Sequence, residues 1–397
     1  MSPSQTAASP LRQLAPFALL NASYFAHIGF FNTYLPLWMK DLGYGLIAIS
    51  LITAAQSATR LFAPYLWGWL SDHSGERVRL MRWCASVSLL ASASLAFDAV
   101  THQLIWLAVV MLLMFTHNSA LVPLSETTMS HLVTRGGQFD ARLYGRVRLC
   151  GSAGFLVTVV LAGWWFERDG LSSFVAWAWV SLAVVSASVW WMPDLREDHH
   201  ANEAHPPLAN VLRNPQVQLL LAAAFFHVLS HIGLYAFFSL YLDSLGYSKT
   251  AIGLLWAISV LAEIVWFSTQ ARWLPLLSLS GWVVLCSALT ALRMGVTAQW
   301  GHVWWLLVAV QMLHAFTFAT HHTANVALIS HYFPGKLRGR GQALYTVVAY
   351  GSTGVLGSLL GGVLSEQYGL AAVFWMCAAT AVVGALLAAR LSRLIHH

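Results

Sequence analysis

The stretch Leu104-Ile105-Trp106-Leu107-Ala108-Val109-Val110-Met111-Leu112-Leu113-Met114-Phe115 opens a run that reaches Leu124 without a single charged residue. A helix rises about 1.5 Å per residue, so a run of this length crosses the apolar core of a bilayer. Runs of the same kind fall near 14–38, 46–70, 82–98, 104–128, 143–166, 173–192, 217–242, 250–271, 276–297, 302–329, 341–364 and 370–391. The third is diluted by Ser86, Ser88, Ser92 and Ser94. A strand barrel would show short alternating segments of roughly 10 residues instead. The expected fold is therefore an all-α membrane protein of twelve transmembrane helices. Composition agrees, because only 9% of the 397 residues are charged, against about 25% in soluble domains. The first run is long and polar-punctuated past Tyr34, so it reads as helix 1 rather than a removable signal.

Basic residues set the expected orientation. With both termini inside, the inner flanks hold sixteen Lys and Arg, among them Arg77, Arg79, Arg82, Arg146, Arg338 and Arg340. The outer loops hold only Lys40, Arg168 and Lys249. That asymmetry predicts a bacterial inner (plasma) membrane protein with cytoplasmic termini. It also accounts for the formal charge of +6 without any nucleic-acid role, which would need the basic residues on one folded surface.

The chain repeats itself. His27-Ile28-Gly29 returns as His231-Ile232-Gly233, and Leu42-Gly43-Tyr44 as Leu245-Gly246-Tyr247. Gly151-Ser152-Ala153-Gly154 returns as Gly351-Ser352-Thr353-Gly354, and Gly170-Leu171 as Gly369-Leu370. The pattern predicts two six-helix bundles, 1–192 and 217–397, joined by a polar, proline-containing cytoplasmic linker over 193–216. His199, His200 and His205 in that linker read as solvated residues. Four scattered cysteines, Cys84, Cys150, Cys286 and Cys377, show neither metal nor disulfide spacing and read as packing residues. No metal and no cofactor is expected.

Charges inside the apolar runs mark the candidate site, since a charged residue at mid-helix costs roughly 2.5–3.5 kcal/mol on insertion scales. They are Arg60, Glu126, Arg148, Glu263 and Arg293. Arg60 and Glu263 occupy equivalent positions of the repeat with opposite charge. Glu126 and Glu263 are the candidate proton carriers, because a carboxylate's proton affinity answers to burial and to neighbouring arginine. In the tenth run Gln311, His314, Phe318, His321 and Asn325 share one face, with His322 beside them. His27, His117, Asn118, His227 and His231 add polar groups elsewhere. Histidine titrates near neutrality and suits coupling or substrate binding. No phosphate loop, nucleophile elbow or other enzyme signature is present. These features predict a carrier driven by an ion gradient rather than an enzyme.

One loop carries a family resemblance. Gly68-Trp69-Leu70-Ser71-Asp72-His73-Ser74-Gly75-Glu76-Arg77 resembles the signature loop of the major facilitator superfamily, matching at Gly68, Leu70, Asp72, Gly75 and Arg77 and departing at His73. The resemblance implies the major facilitator fold, with this loop as a conformational latch. Asp72 would pair with a basic residue or cap a helix end. More narrowly the chain resembles the 3-phenylpropionic acid transporter family and, more distantly, lactose permease. The best stretches are Leu121–Glu126, Tyr144–Leu149, Ala251–Trp256 and Val260–Glu263. The resemblance to the permease implies substrate contacts by Glu126 and Arg148. It also implies proton coupling by Glu263, Arg293 and one of His321 and His322. The permease's further helix 10 carboxylate has no counterpart, Asn325 being the nearest polar residue.

The function expected from these readings is proton symport of a small organic acid such as an aromatic carboxylate. Symport of a neutral sugar or nucleoside is one alternative, and efflux of small amphipathic compounds another. Arg60, His27, His117, Asn118, His231 and His314 are expected to join Glu126 and Arg148 around the substrate. Beyond substrate, protons and the lipid bilayer no partner is expected, and the chain is expected to work as a monomer.

Overall fold

The computed structural model describes residues 10–135, 138–193 and 209–396. The long helices run in chain order as α1 (Pro10–Asp41), α2 (Leu46–Ser74), α3 (Arg77–Ala93), α4 (Leu104–Val133), α5 (Ala141–Asp169) and α6 (Phe174–Trp190). They continue as α7 (Pro215–Ser244), α8 (Lys249–Trp273), α9 (Leu279–Trp300), α10 (residues 304–332), α11 (Arg338–Tyr368) and α12 (Leu370–His396). Apart from the stretch between α6 and α7, short segments separate them, and Thr134–Arg135 pairs antiparallel with Gln138–Phe139.

Ten of these helices are long and apolar enough to cross a membrane. The protein is thus an all-α, multi-span membrane protein. The two that fall short are instructive. α3 is 17 residues long and serine-rich, and α10 carries Gln311, His314, His321 and His322 within its apolar run. α3 also lies some five residues earlier than the apolar run over 82–98. Gly75 turns the chain with φ 65°, and the helix begins at once with Arg77, Arg79 and Arg82 in its first two turns. A reading by hydrophobicity discounts those residues. Large apolar side chains stand exposed along the helices, including Leu90, Ile105, Trp106, Val180, Trp305 and Leu386. Lipid is the solvent that suits such a surface. Within the expected linker, 194–208 and its three histidines lie outside the described residues. The cysteines are free, three of them buried.

Three helices are not α-helical throughout. Gly233–Phe237 in α7, Ala315–Thr320 in α10 and Thr346–Gly351 in α11 are π-helical. Each wide turn shifts the register and releases carbonyls from the usual ladder.

The packing falls into two compact units. The first comprises Met1–Phe31, Ala63–Thr158 and Ser173–His200. Its core joins Leu14, Phe17, Met81, Cys84, Leu121, Val185 and Val189. There α1 and α5 touch backbone to backbone, for a Cβ on Gly154 would overlap the carbonyl oxygen of Ala22.

The second unit comprises Asn32–Phe62, Val159–Ser172 and Ala201–His397. Its main core joins Val217, Leu220, Val283, Cys286, Ala315, Ile329 and Leu391. The ends of α1 and α5 are tied into it. Tyr34 Oη is 3.1 Å from both Val159 O and Lys249 O, and Lys40 Nζ lies 2.7 Å from Asp243 Oδ2. Glu167 Oε2 accepts from Lys249 N at 2.5 Å, capping the start of α8.

The repeat seen in the sequence reappears as geometry. Gly43 and Gly246 end their helices at φ 88° and 82°, and Gly170 and Gly369 turn at 72° and 82°. Tyr44 N donates to Met39 O, and Tyr247 N to Leu242 O, both at 3.0 Å. This is the same glycine-terminated cap at both places.

Candidate functional site

In the second unit, Arg293 on α9 is 1% exposed. Its Nη1 donates to His314 Nδ1 at 3.0 Å and to Thr317 Oγ1 at 2.9 Å, and its Nη2 donates to Gln311 Oε1 at 2.6 Å. Gln311 Oε1 also accepts from Ser259 Oγ on α8 at 2.6 Å. A guanidinium only donates, so His314 Nδ1 is the accepting nitrogen and the neutral ring carries its proton on Nε2. That nitrogen faces Glu263 Oε2 at 3.7 Å. Glu263, His314 and Arg293 thus form a continuous polar chain across α8, α10 and α9. His314, expected around the substrate, stands in the middle of it.

His321 and His322 lie further along α10. His322 Nδ1 is 3.3 Å from Tyr350 Oη, and its ring is stacked in a column with Phe318 and His314. His321 is 2% exposed and stacks face to face on His227, with ring centroids 3.3 Å apart and planes 9° from parallel. Its Nε2 accepts from Asn325 Nδ2 at 3.1 Å. His231, 2% exposed, lies one turn from His227. Arg60 is exposed and makes no ion pair among the described residues. It and Glu263 both lie within electrostatic reach of Tyr235 and Tyr350.

In the first unit, Arg148 Nη1 on α5 donates to Glu126 Oε1 on α4. The side chains are 43% and 31% exposed, so the pair is open to a solute. Arg148 also lies over the Phe25 ring, 5.9 Å from its centroid. Asn118 is 2% exposed, and neither atom of its amide is bonded among the described residues. His117 turns away from this pair. It sits between Trp67 and Trp83, 5.2 Å from each, and bonds Leu113 O. His27 is 1% exposed, packs on Phe31 and bonds Ser181 Oγ at 2.8 Å.

The loop between α2 and α3 joins the same unit. Asp72 Oδ1 is 3.4 Å from Arg77 Nη2, and Arg77 Nε donates to Ser71 Oγ at 3.1 Å. Gly75 supplies the turn. Gly68 has open space where a Cβ would stand, on the wall of a 210 Å³ cavity shared by Asp72, Arg77 and Pro123.

Thr317, Ser259, Tyr235 and Tyr350 were not singled out in the sequence. Thr317 alone left a trace there, three residues past His314 on the same helix.

The arrangement is one of buried charges answered by amide, hydroxyl and imidazole groups. Over residues 18–376 the chain matches the MFS_1 like family. It belongs to that family. Its kind are carriers, and the protein is a secondary-active transporter of small molecules rather than an enzyme. Among its relatives is the probable 3-phenylpropionic acid transporter of Escherichia coli (strain K12), 27% identical over 91% of this chain and 93% of the relative. The maltose permease of Geobacillus stearothermophilus is 25% identical over 85% of this chain and 84% of its own length. Among solved structures, a mutant of the nucleoside transporter NupG superposes with a TM-score of 0.80 at 16% identity. That match covers 95% of this chain and 98% of the other. An auto-inhibited POT family peptide transporter gives 0.75 at 14% identity, covering 96% of this chain and 97% of the other. These last two likenesses bear on the fold alone.

Proposed function

We propose that this protein is a proton symporter of a small neutral, hydroxyl-rich solute, a sugar or a nucleoside, working by alternating access in the bacterial inner membrane. The pairing of Arg148 with Glu126 carries the reading. An arginine already answered by a carboxylate offers a solute no net charge. The pair still presents guanidinium donors beside carboxylate acceptors, which is what a hydroxyl, donor and acceptor at once, can use. A maltose permease among the relatives supports it. Twelve spans in two six-helix halves, 1–192 and 217–397 with a linker at 193–216, and cytoplasmic termini belong to the same reading. So does the latch role of Gly68, Asp72, Gly75 and Arg77.

The coupling proton resides on Glu263. His314 Nε2 and Arg293 behind it hold the carboxylate when it is ionised, and protonation releases that hold. His321, His322 and Glu126 remain further candidates for the coupling route.

A second reading, transport of an aromatic carboxylate, has its own observation. Arg60 carries no ion pair among the described residues and lies within electrostatic reach of Tyr235 and Tyr350, an arrangement that suits an anion with a ring. The 27% identical relative with that substrate in its name supports it.

Proteoliposomes with an imposed proton gradient and a panel of labelled sugars, nucleosides and aromatic acids separate the two. Saturable accumulation of a sugar or nucleoside, untouched by excess aromatic acid, is expected; accumulation of the acids alone overturns the first reading. In the same vesicles Glu263→Gln should retain substrate exchange and lose gradient-driven accumulation. Undiminished accumulation removes Glu263 from the proton role.

A further inference from the structure

The charged pair of the first unit has an aromatic neighbour whose place is set by a glycine. Arg148 and Gly151 stand three residues apart on α5, so they share one face of that helix. A Cβ built on Gly151 would stand 2.7 Å from Cδ2 and 3.3 Å from Cε2 of Phe25 on α1. The ring of Phe25 therefore occupies the space that a side chain at 151 would fill. The two helices approach closely enough for this because their contact is made by glycines. A Cβ on Gly154 would overlap Ala22 O, and one on Gly29 would stand 2.9 Å from Phe155 O.

Phe25 is thus fixed at the seam of α1 and α5. It is half-buried, with the ring of Tyr24 edge-on at 5.4 Å. The Arg148 guanidinium carbon lies 5.9 Å from its centroid, at the outer limit of a cation–π contact. Holding Arg148 therefore does not account for the ring, since Glu126 already does that by a direct ion pair. Tyr144, one turn before Arg148 on α5, lies within electrostatic reach of both members of the pair. The open pair is bordered by aromatic side chains from two helices.

We propose that Phe25 is the apolar platform of the substrate site, on which the ring of the bound solute rests while its polar groups meet Arg148 and Glu126, and that Gly151 is the positioning residue that lets Phe25 lie there. Its role in transport rests on the reading of this pair as the substrate contact. A sugar ring presents a face of C–H groups and a nucleobase a π-face. Either packs flat on an aromatic side chain, as an open-chain polyol does not. The pair itself serves the hydroxyls of ring and chain alike, so the discrimination between them falls to Phe25.

Uptake by the full-length protein in proteoliposomes tests it. The labelled solute is the ring compound that the parent accumulates from the panel of sugars, nucleosides and acids, and its open-chain counterpart serves as competitor, sorbitol for a hexose or ribitol for a nucleoside. Phe25→Leu keeps an apolar side chain at the seam. It should raise KM for the ring solute roughly two- to tenfold, the worth of one aromatic contact, with the maximal rate retained. The inhibition constant of the polyol should not move. Phe25→Tyr, which keeps a ring, should keep the parent's KM. Gly151→Ala puts a methyl group where the ring lies and should raise KM as Phe25→Leu does. In a Phe25→Ala background, with no ring left to displace, Gly151→Ala should add nothing. Each variant should elute as the parent does on gel filtration. An unchanged KM in folded Phe25→Leu overturns the proposal. So does an equal rise for ring and chain, which would mean that Phe25 acts only by holding Arg148, and so does additivity of the two changes. A parent that accumulates aromatic acids alone overturns the neutral-solute reading and leaves this test in place, with benzoate as the ring and hexanoate as the chain.

Discussion

Arg293 shows how neutral groups hold a buried cation. Three acceptors, His314, Thr317 and Gln311, take its Nη hydrogens, and Glu263 Oε2 faces the far nitrogen of His314. Gln311 is the member to test, because its Oε1 also holds Ser259. Replacing it with leucine keeps the bulk and strands one guanidinium nitrogen, while the Ser259 hydroxyl keeps Leu255 O as its acceptor. An unsatisfied buried donor costs about 1–3 kcal/mol, so Gln311→Leu should lower the melting temperature in detergent by several degrees. A variant that melts with the parent shows that water or another side chain replaces the lost acceptor. The charges and histidines of this chain were legible in the sequence, since each is rare and costly in an apolar helix. Thr317, Ser259 and Ser287 were not. Hydroxyls are common in such helices and usually bond their own backbone, as Ser119 and Thr290 do here. Only the fold shows which of them face a ring or a guanidinium.

Helical spacing was read as a uniform 3.6 residues per turn, and at α10 that reading held only in part. His314 and His321 fall on one side of an unbroken helix. The π-helical turn between them instead sends His314 to Arg293 and Glu263, and His321 to His227. Wide turns have no sequence signature of their own, so this division of one stripe into two sites could not be foreseen. Small residues let helix backbones approach closely. Gly154 is the clearest case, lying against the carbonyl of Ala22 with no space for a methyl group. Backbone cannot move aside as a flexible side chain can. Gly154→Ala should therefore cost about 1–3 kcal/mol, as overpacking does, and a leucine there should prevent accumulation of folded protein. Fluorescence-detected size exclusion reads both, and a monodisperse leucine variant would show that α1 and α5 part easily.

At the scale of the molecule, the packing units cut across α1, α2 and α5 rather than following the sequence repeat. Asn32–Phe62 and Val159–Ser172 pack with Ala201–His397 in one unit. The positions that meet there are in part repeat equivalents, Lys40 with Asp243 among them. That pair is half exposed on one side, so its own worth to stability is below about 1 kcal/mol, and it can be broken during a transport cycle at little cost. Alternating access by the two sequence halves requires such contacts to open, because α2 and α11 belong to different halves and yet touch. A Cβ built on Gly354 stands 2.7 Å from Ser57 Cβ, while a disulfide holds its Cβ atoms about 3.8 Å apart. A cysteine pair at 57 and 354 thus needs the helices to yield by roughly an ångström, well within the give of two surfaces that alternating access by the sequence halves would separate. Ser57→Cys with Gly354→Cys, in a Cys150→Ala background because Cys150 is the one native cysteine not buried, should cross-link under mild oxidation. Transport should stop on oxidation and return with reductant, while each single variant keeps transporting under both conditions. Full transport by the cross-linked protein would mean that α2 and α11 stay together through the cycle, and the halves that move would then be the packing units rather than the sequence repeats.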